Sequence, residues 1–302
     1  MSLYVEGILI VVGVNILLAL GYWITVNTGQ FSFGHAAFMA IGAYVGSILT
    51  VKMGWPLVPA MLVAGVAAGL TGALIGFPAL RLSMLYLAMA TLGFAELTQI
   101  VFLNWGYVGG ASGMTGMRGA SLPLVLGTVL VVVVYLWLVS RSRVGLAYAA
   151  VREDEAAARA SGLNVTHIKV MAFGQGAFVT GLAGALYAHQ ILHIDPSNFG
   201  VQQSLIIVLY VMFGGLATFW GPLLGAGILT LLPEWFDFLR DWYLIVYGAL
   251  FVVLMIVRPQ GLIGRSAPGW LAGFRQRGQR GPLGSGAETA VATGGPGADP
   301  AG

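Results

Sequence analysis

The chain has 302 residues, of which 58% are hydrophobic and only 8% charged, with a formal net charge of +3 and a mean hydropathy of +0.88. A soluble domain carries about 25% charged residues, so this chain lacks the polar surface that water requires, and lipid is the solvent for most of it. Its apolar runs are continuous, which excludes an outer-membrane barrel with alternating strands, and the absence of cysteine excludes disulfides and thiolate metal sites.

The runs 56–76, 122–140 and 170–192 contain no Asp, Glu, Lys or Arg. A helix needs roughly 20 such residues to cross about 30 Å of hydrocarbon. In chain order the apolar segments predict spans over 7–26, 33–51, 56–76, 83–104, 122–140, 168–192, 201–217, 219–236 and 242–258. The expected fold is therefore all-α, a polytopic transmembrane helix bundle of about nine spans, within a range of eight to ten. Met1–Gly7 has no Lys or Arg and so lacks the basic start of a signal peptide; the first run is read as a span. Asn27, Thr28, Gln30, Ser32, Gly34 and His35 make a polar lead into the second span, which is read as a broken or re-entrant segment.

Small residues recur at four-residue spacing in Gly42/Gly46, Gly65/Gly69, Gly72/Gly76, Ala177/Gly181 and Gly221/Gly225. In lipid, such pairs let helix backbones approach closely. The short pair 201–217 and 219–236 is divided by Gly214, Gly215, Gly221 and Pro222, which are expected to break the helices. Breaks of this kind are tolerated only where protein or a water-filled cavity re-satisfies the backbone.

With the N-terminus outside, Arg81, Arg141, Arg143, Arg152, Arg159, Lys169, Arg258, Arg265, Arg275, Arg277 and Arg280 fall inside, leaving Lys52, Arg118 and Arg240 outside. Cytoplasmic loops carry the basic excess. The expected orientation is N-terminus outside and C-terminus inside. Residues 266–302 are rich in Gly, Pro and Ala and read as a disordered cytoplasmic tail, with Arg275 to Arg280 against anionic lipid headgroups. The basic clusters are thus read as topology, with no role in nucleic-acid binding.

Neither lysine is followed by Ser or Thr, so no phosphate-binding loop exists. The histidines have no zincin context and no serine sits in a nucleophile elbow. The chain has no evident catalytic or metal site. Its one long inside loop, about 141–168, carries acidic residues at Glu153, Asp154 and Glu155 suited to a helix start. Glu155 and Arg159 are spaced as an i,i+4 pair, and Gly162 is placed to end the helix in a left-handed turn. The expected structure is a short helix pair exposing Ala157 and Ala158. Such a flat alanine face has little side-chain entropy to lose on docking; an ordinary solvated connector fits the same pattern equally well.

This loop resembles the coupling loop of ATP-binding-cassette importer permeases, in the form R-E-x-E-x-A-A-x-x-x-G, matched by Arg152, Glu153, Glu155, Ala157, Ala158 and Gly162. The resemblance is to the LivM-type permeases for branched-chain amino acids and covers about 15–264. It is carried also by GQFSFGHAAFMAIGAY from Gly29, PALRLSMLYLAMATLGFAEL from Pro78, GGASGMTGM from Gly109, GLAGALYA from Gly181, DPSNF from Asp195, GGLATFWGPLLGA from Gly214 and RPQGLIGR from Arg258. Two departures stand out: Ala217 where the family usually has Gly, and Ser83–Met84 in place of the commoner basic-Gly pair.

The resemblance implies a permease domain over 1–265 in the inner membrane. It implies as partners a second homologous permease subunit, two ATP-binding subunits that hold ATP and Mg, and an extracytoplasmic substrate-binding protein; this chain itself holds no cofactor. It implies that Asp154–Ser161 is the coupling helix. Cargo other than Leu, Ile and Val remains open, including urea, short amides and other amino acids, and a secondary transporter is a remoter alternative. Polar residues inside spans are costly and are functional candidates. Glu96, Thr91, Gln99, Asn15, His35 and Gln175 are the candidate pathway residues. For Glu96 a pairing with Gln99 is an equal alternative, and for His35 a hydrogen bond at the helix start is preferred. His189 and His193 are read as solvated near the outer interface.

Overall fold

The computed structural model describes residues 3–79, 82, 84–235, 248–249, 252 and 261–263, all within the unit Met1–Gly264. In chain order the elements are α1 (Leu3–Val26), α2 (His35–Ser47), α3 (Leu57–Ala79), α4 (Met84–Asn104), β1 (Met114–Thr115), α5 (Leu122–Arg141), α6 (Arg143–Glu153), α7 (Glu155–Ala160), α8 (Val165–Ile191), β2 (His193–Ile194), α9 (Val201–Gly214) and α10 (Trp220–Trp235). Among the described residues, seven helical segments are long and apolar enough to cross a membrane, and they overlap the first seven predicted spans. The eighth prediction corresponds to α10, whose 16 residues reach only about 24 Å. The ninth, 242–258, and the predicted tail, 266–302, lie outside the described residues, apart from isolated positions in the former.

The all-α expectation holds apart from one small ladder, in which Met114 pairs with Ile194 and Thr115 with His193. The polar lead corrects a second expectation. Residues 27–34 form a loop outside the helix, and α2 continues through a π-helical turn, Ile48–Lys52, as one uninterrupted 18-residue segment. The loop keeps its polar groups bonded: Thr28 Oγ1 donates to Thr25 O at 2.9 Å, and Gln30 Nε2 donates to Lys169 O at 3.0 Å.

Helix α8 lies at the centre, with α1, α2 and α3 packed along it. The predicted small-residue pairs explain how. A Cβ on Gly42 would sit 2.1 Å from Gly181 O, and one on Gly184 would sit 2.1 Å from Met39 O. Backbones this close leave no room for a side chain, and in lipid such close packing is what holds helices together.

The hairpin of α9 and α10 is equally tight. A Cβ on Gly214 would lie 2.0 Å from Gly221 O. The break falls at Gly215, with φ of 101°, a conformation that glycine adopts without steric cost. Gly221 and Pro222, expected to interrupt the chain here, instead stand in the first turn of α10. Proline is tolerated there because the first helical N–H groups have no intrahelical acceptor.

Candidate functional site

The α6–α7 connection is built by local capping. Ser142 Oγ accepts from Val144 N at 3.2 Å and Gly145 N at 3.4 Å, opening α6. Asp154 Oδ1 accepts from Ala156 N at 2.8 Å and Ala157 N at 3.0 Å, opening α7. Of the three acids read as a helix start, Asp154 alone makes the cap. At the other end Gly162 has φ of 83°. Its N–H donates to Arg159 O, and Leu163 N donates to Ala158 O, at 3.0 and 3.1 Å. This is a Schellman arrangement, which satisfies the last carbonyls of the helix. Arg159 and Glu155 form the expected i,i+4 pair at 3.5 Å.

Three ties fasten this unit to the spans. Arg152 Nη1 donates to Asn27 Oδ1 at 2.8 Å, reaching the end of α1. Lys169 Nζ, near the start of α8, bonds to Glu155 Oε1. Tyr148 OH donates to Gln175 Oε1 at 2.8 Å. Burial raises the Tyr148 pKa above its usual value, so its hydroxyl keeps the proton that this bond uses. Glu153 is exposed, with Arg152 Nη2 at 3.8 Å.

One expectation about this loop is corrected. Ala158 is buried, at 4% exposure, because it faces inward between the caps while α7 packs on α8. The free alanine face is Ala156, Ala157 and Ala160. Which face of a six-residue helix points inward depends on its tether to Lys169, which the local pattern does not encode.

The six polar residues predicted within spans do not converge on one point. Asn15 Nδ2 donates to Thr230 Oγ1 at 3.0 Å, joining α1 to α10. Thr91 Oγ1 accepts from Phe33 N at 3.0 Å, holding the 27–34 loop to α4. His35 is the first residue of α2 and is buried, with Nε2 3.2 Å from Thr25 Oγ1 and with Tyr22, Phe38 and Phe173 rings around it. Gln175 serves Tyr148. Only Glu96 and Gln99 share a location. Glu96 Oε1 accepts from Val201 N at 3.3 Å, and a Cβ on Gly200 would lie 3.1 Å from Gln99 Oε1. A carboxylate thus sits at the start of α9, where the free N–H groups and the helix dipole favour negative charge. Gln203 lies one turn further, with Nε2 3.7 Å from Met39 Sδ. Neither Gln203 nor the α9 helix start was singled out from the sequence; the signal was DPSNFG, a helix-opening segment whose spatial neighbour was unknown.

At the opposite end of the bundle, Lys52 Nζ lies 3.4 Å from the Tyr107 ring centroid. His189 corrects the solvated reading. It is buried, at 1% exposure, with Nδ1 2.7 Å from Ala185 O and Nε2 3.0 Å from Thr50 Oγ1. Its neighbour His193 is half-exposed, 4.0 Å from Asp195. No group of acidic or histidine side chains among the described residues has metal-ligand spacing.

With this geometry in place, the family described as branched-chain amino acid transport system, permease component, matches residues 4–255. The chain belongs to this permease family. It is 32% identical over 295 residues to the high-affinity branched-chain amino acid transport system permease protein LivM of Salmonella typhimurium, covering 84% of this chain and 69% of that one. It is 27% identical to the permease protein BraD of Pseudomonas aeruginosa, covering 82% of this chain and 91% of BraD. It is 26% identical to the autoinducer 2 import system permease protein LsrC of an Enterobacter strain, covering 78% and 74%. No solved structure matches the chain. As a member of this permease family with seven apolar helices long enough to span, the chain is a multi-pass inner-membrane protein.

Proposed function

We propose that the permease is the membrane-spanning subunit of an ATP-binding-cassette importer that carries branched-chain amino acids inward. The observation that carries this reading is the tethering of α7. A capped, externally accessible helix with an alanine face is fixed through Glu155 to Lys169 and, via α6, through Arg152 to Asn27. A push on α7 therefore acts on the start of α8 and the end of α1 together. Because α8 meets α2 and α3 backbone to backbone, the displacement passes to the central spans as a rigid unit. On this reading two partner ATPase subunits bind ATP and Mg and press on Ala156, Ala157 and Ala160. A second permease subunit completes the pathway, and an external binding protein delivers the solute on the side of Lys52 and Tyr107. Glu96, Gln99 and Gln203, gathered at the start of α9, are the polar groups assigned to a zwitterionic solute.

The names LivM, BraD and LsrC assign two kinds of cargo to proteins similar to this one, so the test includes several solutes. The chain is co-reconstituted with the ATPase, second permease and binding protein encoded beside it. ATP-dependent uptake of labelled leucine, isoleucine and valine is expected, exceeding uptake of urea, short amides and autoinducer 2. Ala157→Glu places a charge on the exposed face, where substitutions usually change stability by about 0.5 kcal/mol or less. It is expected to lower uptake at least tenfold with unchanged membrane abundance. Uphill transport by this chain alone, or wild-type uptake by the A157E complex, would overturn the proposal.

A further inference from the structure

A groove of 1020 Å³ opens between α3, α5 and α8. Its walls run from Met61 to Ala73 on α3, from Pro123 to Tyr135 on α5 and from His167 to Leu182 on α8. At 1.5 Å per residue the α8 wall is about 22 Å long. The mean cross-section is then about 50 Å², roughly half that of a helix with a diameter of 10–12 Å. It is a slot for thin hydrocarbon chains.

The chemistry of the wall agrees. Leu62, Val66, Leu70, Val131, Val132 and Phe178 form most of its surface. Two polar side chains on the wall are already engaged within the protein: Thr128 Oγ1 donates to Leu124 O at 2.8 Å, and Gln175 Oε1 accepts from Tyr148. A hydrophilic solute would lose its water here and gain little in return, which is unfavourable.

Tyr135 and His167, the other polar wall residues, belong to the end near α7. There Arg141, the last residue of α5, lies over the Trp137 ring, 4.2 Å from its centroid. Arg143 follows at the start of α6, while the nearby Glu155 is already paired with Lys169 and Arg159. Aromatic and basic side chains of this kind mark the level of lipid headgroups.

We propose that this groove holds a phospholipid, with its acyl chains between α3, α5 and α8 and an anionic phosphate at the His167 and Arg141 rim. The assignment depends on the bundle lying in a membrane and not on which solute it carries.

Gly127 supplies the test. It lines the groove on α5, and a Cβ there meets no atom within 4 Å; the same is true of Gly93 on α4, away from the groove. The full chain is incorporated into vesicles of phosphatidylethanolamine and phosphatidylglycerol. A phosphatidylglycerol probe carrying a diazirine in its acyl chain is then photolysed, and adducts are mapped by mass spectrometry. Adducts are expected on the α3, α5 and α8 walls. Gly127→Phe is expected to reduce them at least fivefold, with Gly93→Phe unchanged. Absence of wall adducts, or adducts indifferent to G127F, would overturn the site. So would a short bismaleimide cross-link from Gly127→Cys to a cysteine placed in residues 236–258 or in another subunit, since a protein segment would then fill the groove. Equal labelling by a phosphatidylcholine probe with the same chains would overturn the anionic headgroup assignment.

Discussion

Gly42 and Gly93 are both helical glycines, yet the same substitution should have opposite effects on them. At Gly42 an added methyl would lie 2.1 Å from the backbone of Gly181, where no flexible side chain can give way. Gly42→Ala is expected to cost about 1–3 kcal/mol and to lower the unfolding temperature in detergent by several degrees. At Gly93 nothing lies within 4 Å, so Gly93→Ala is expected to gain about 0.5–1 kcal/mol from helix propensity. Thermal unfolding of the two purified variants checks both signs. Ala157 and Ala158 repeat the lesson on the loop. They are adjacent and identical, but Ala158 is buried and Ala157 is not. A charge at position 158 perturbs packing; only a charge at 157 reports on docking.

Among the elements, α7 was the most legible. Its acidic start, its i,i+4 pair and its terminating glycine all lie within nine residues, and capping depends on such near neighbours. Its attachments were not legible. Lys169 is 14 residues from Glu155, and Arg152 is 125 residues from Asn27; nothing in the local pattern announces either pair. If Glu155 and Lys169 act as one tether, Glu155→Ala and Lys169→Ala should each slow ATP-driven uptake, and the double variant should be no slower than the worse single one. Additive losses would assign the two residues separate roles, because independent sites add. Glu155 is partly exposed, so the pair is expected to contribute about 1 kcal/mol or less to stability, and membrane abundance should barely change.

For the whole molecule, the placement of loops orders the bundle into two ends. Residues 27–30, 152 and 169 meet at one end through hydrogen bonds. Lys52, Tyr107, Met114 and Ile194 meet at the other. The basic excess assigns the first end to the cytoplasm. The chain has no cysteine, so single thiols report sidedness cleanly. An impermeant maleimide is expected to label Ser112→Cys in intact spheroplasts and Ala157→Cys only in inverted vesicles. The reverse pattern would invert the orientation, and with it the side on which an ATPase meets α7.

The sequence by itself determined the lipid environment, seven of the spans to within a few residues, and the capped helix in the long loop. These depend on the hydropathy of a segment or on residues a turn apart, and both are written locally. The tertiary structure alone decided that Ala158 and His189 are buried, that Pro222 opens a helix, and that Asn15, Thr91 and His35 join helices at separate places. It also opened the slot between α3, α5 and α8. Each of these depends on which distant backbone lies alongside, and a glycine contact such as Gly42 with Gly181 fixes that only once the chain has packed.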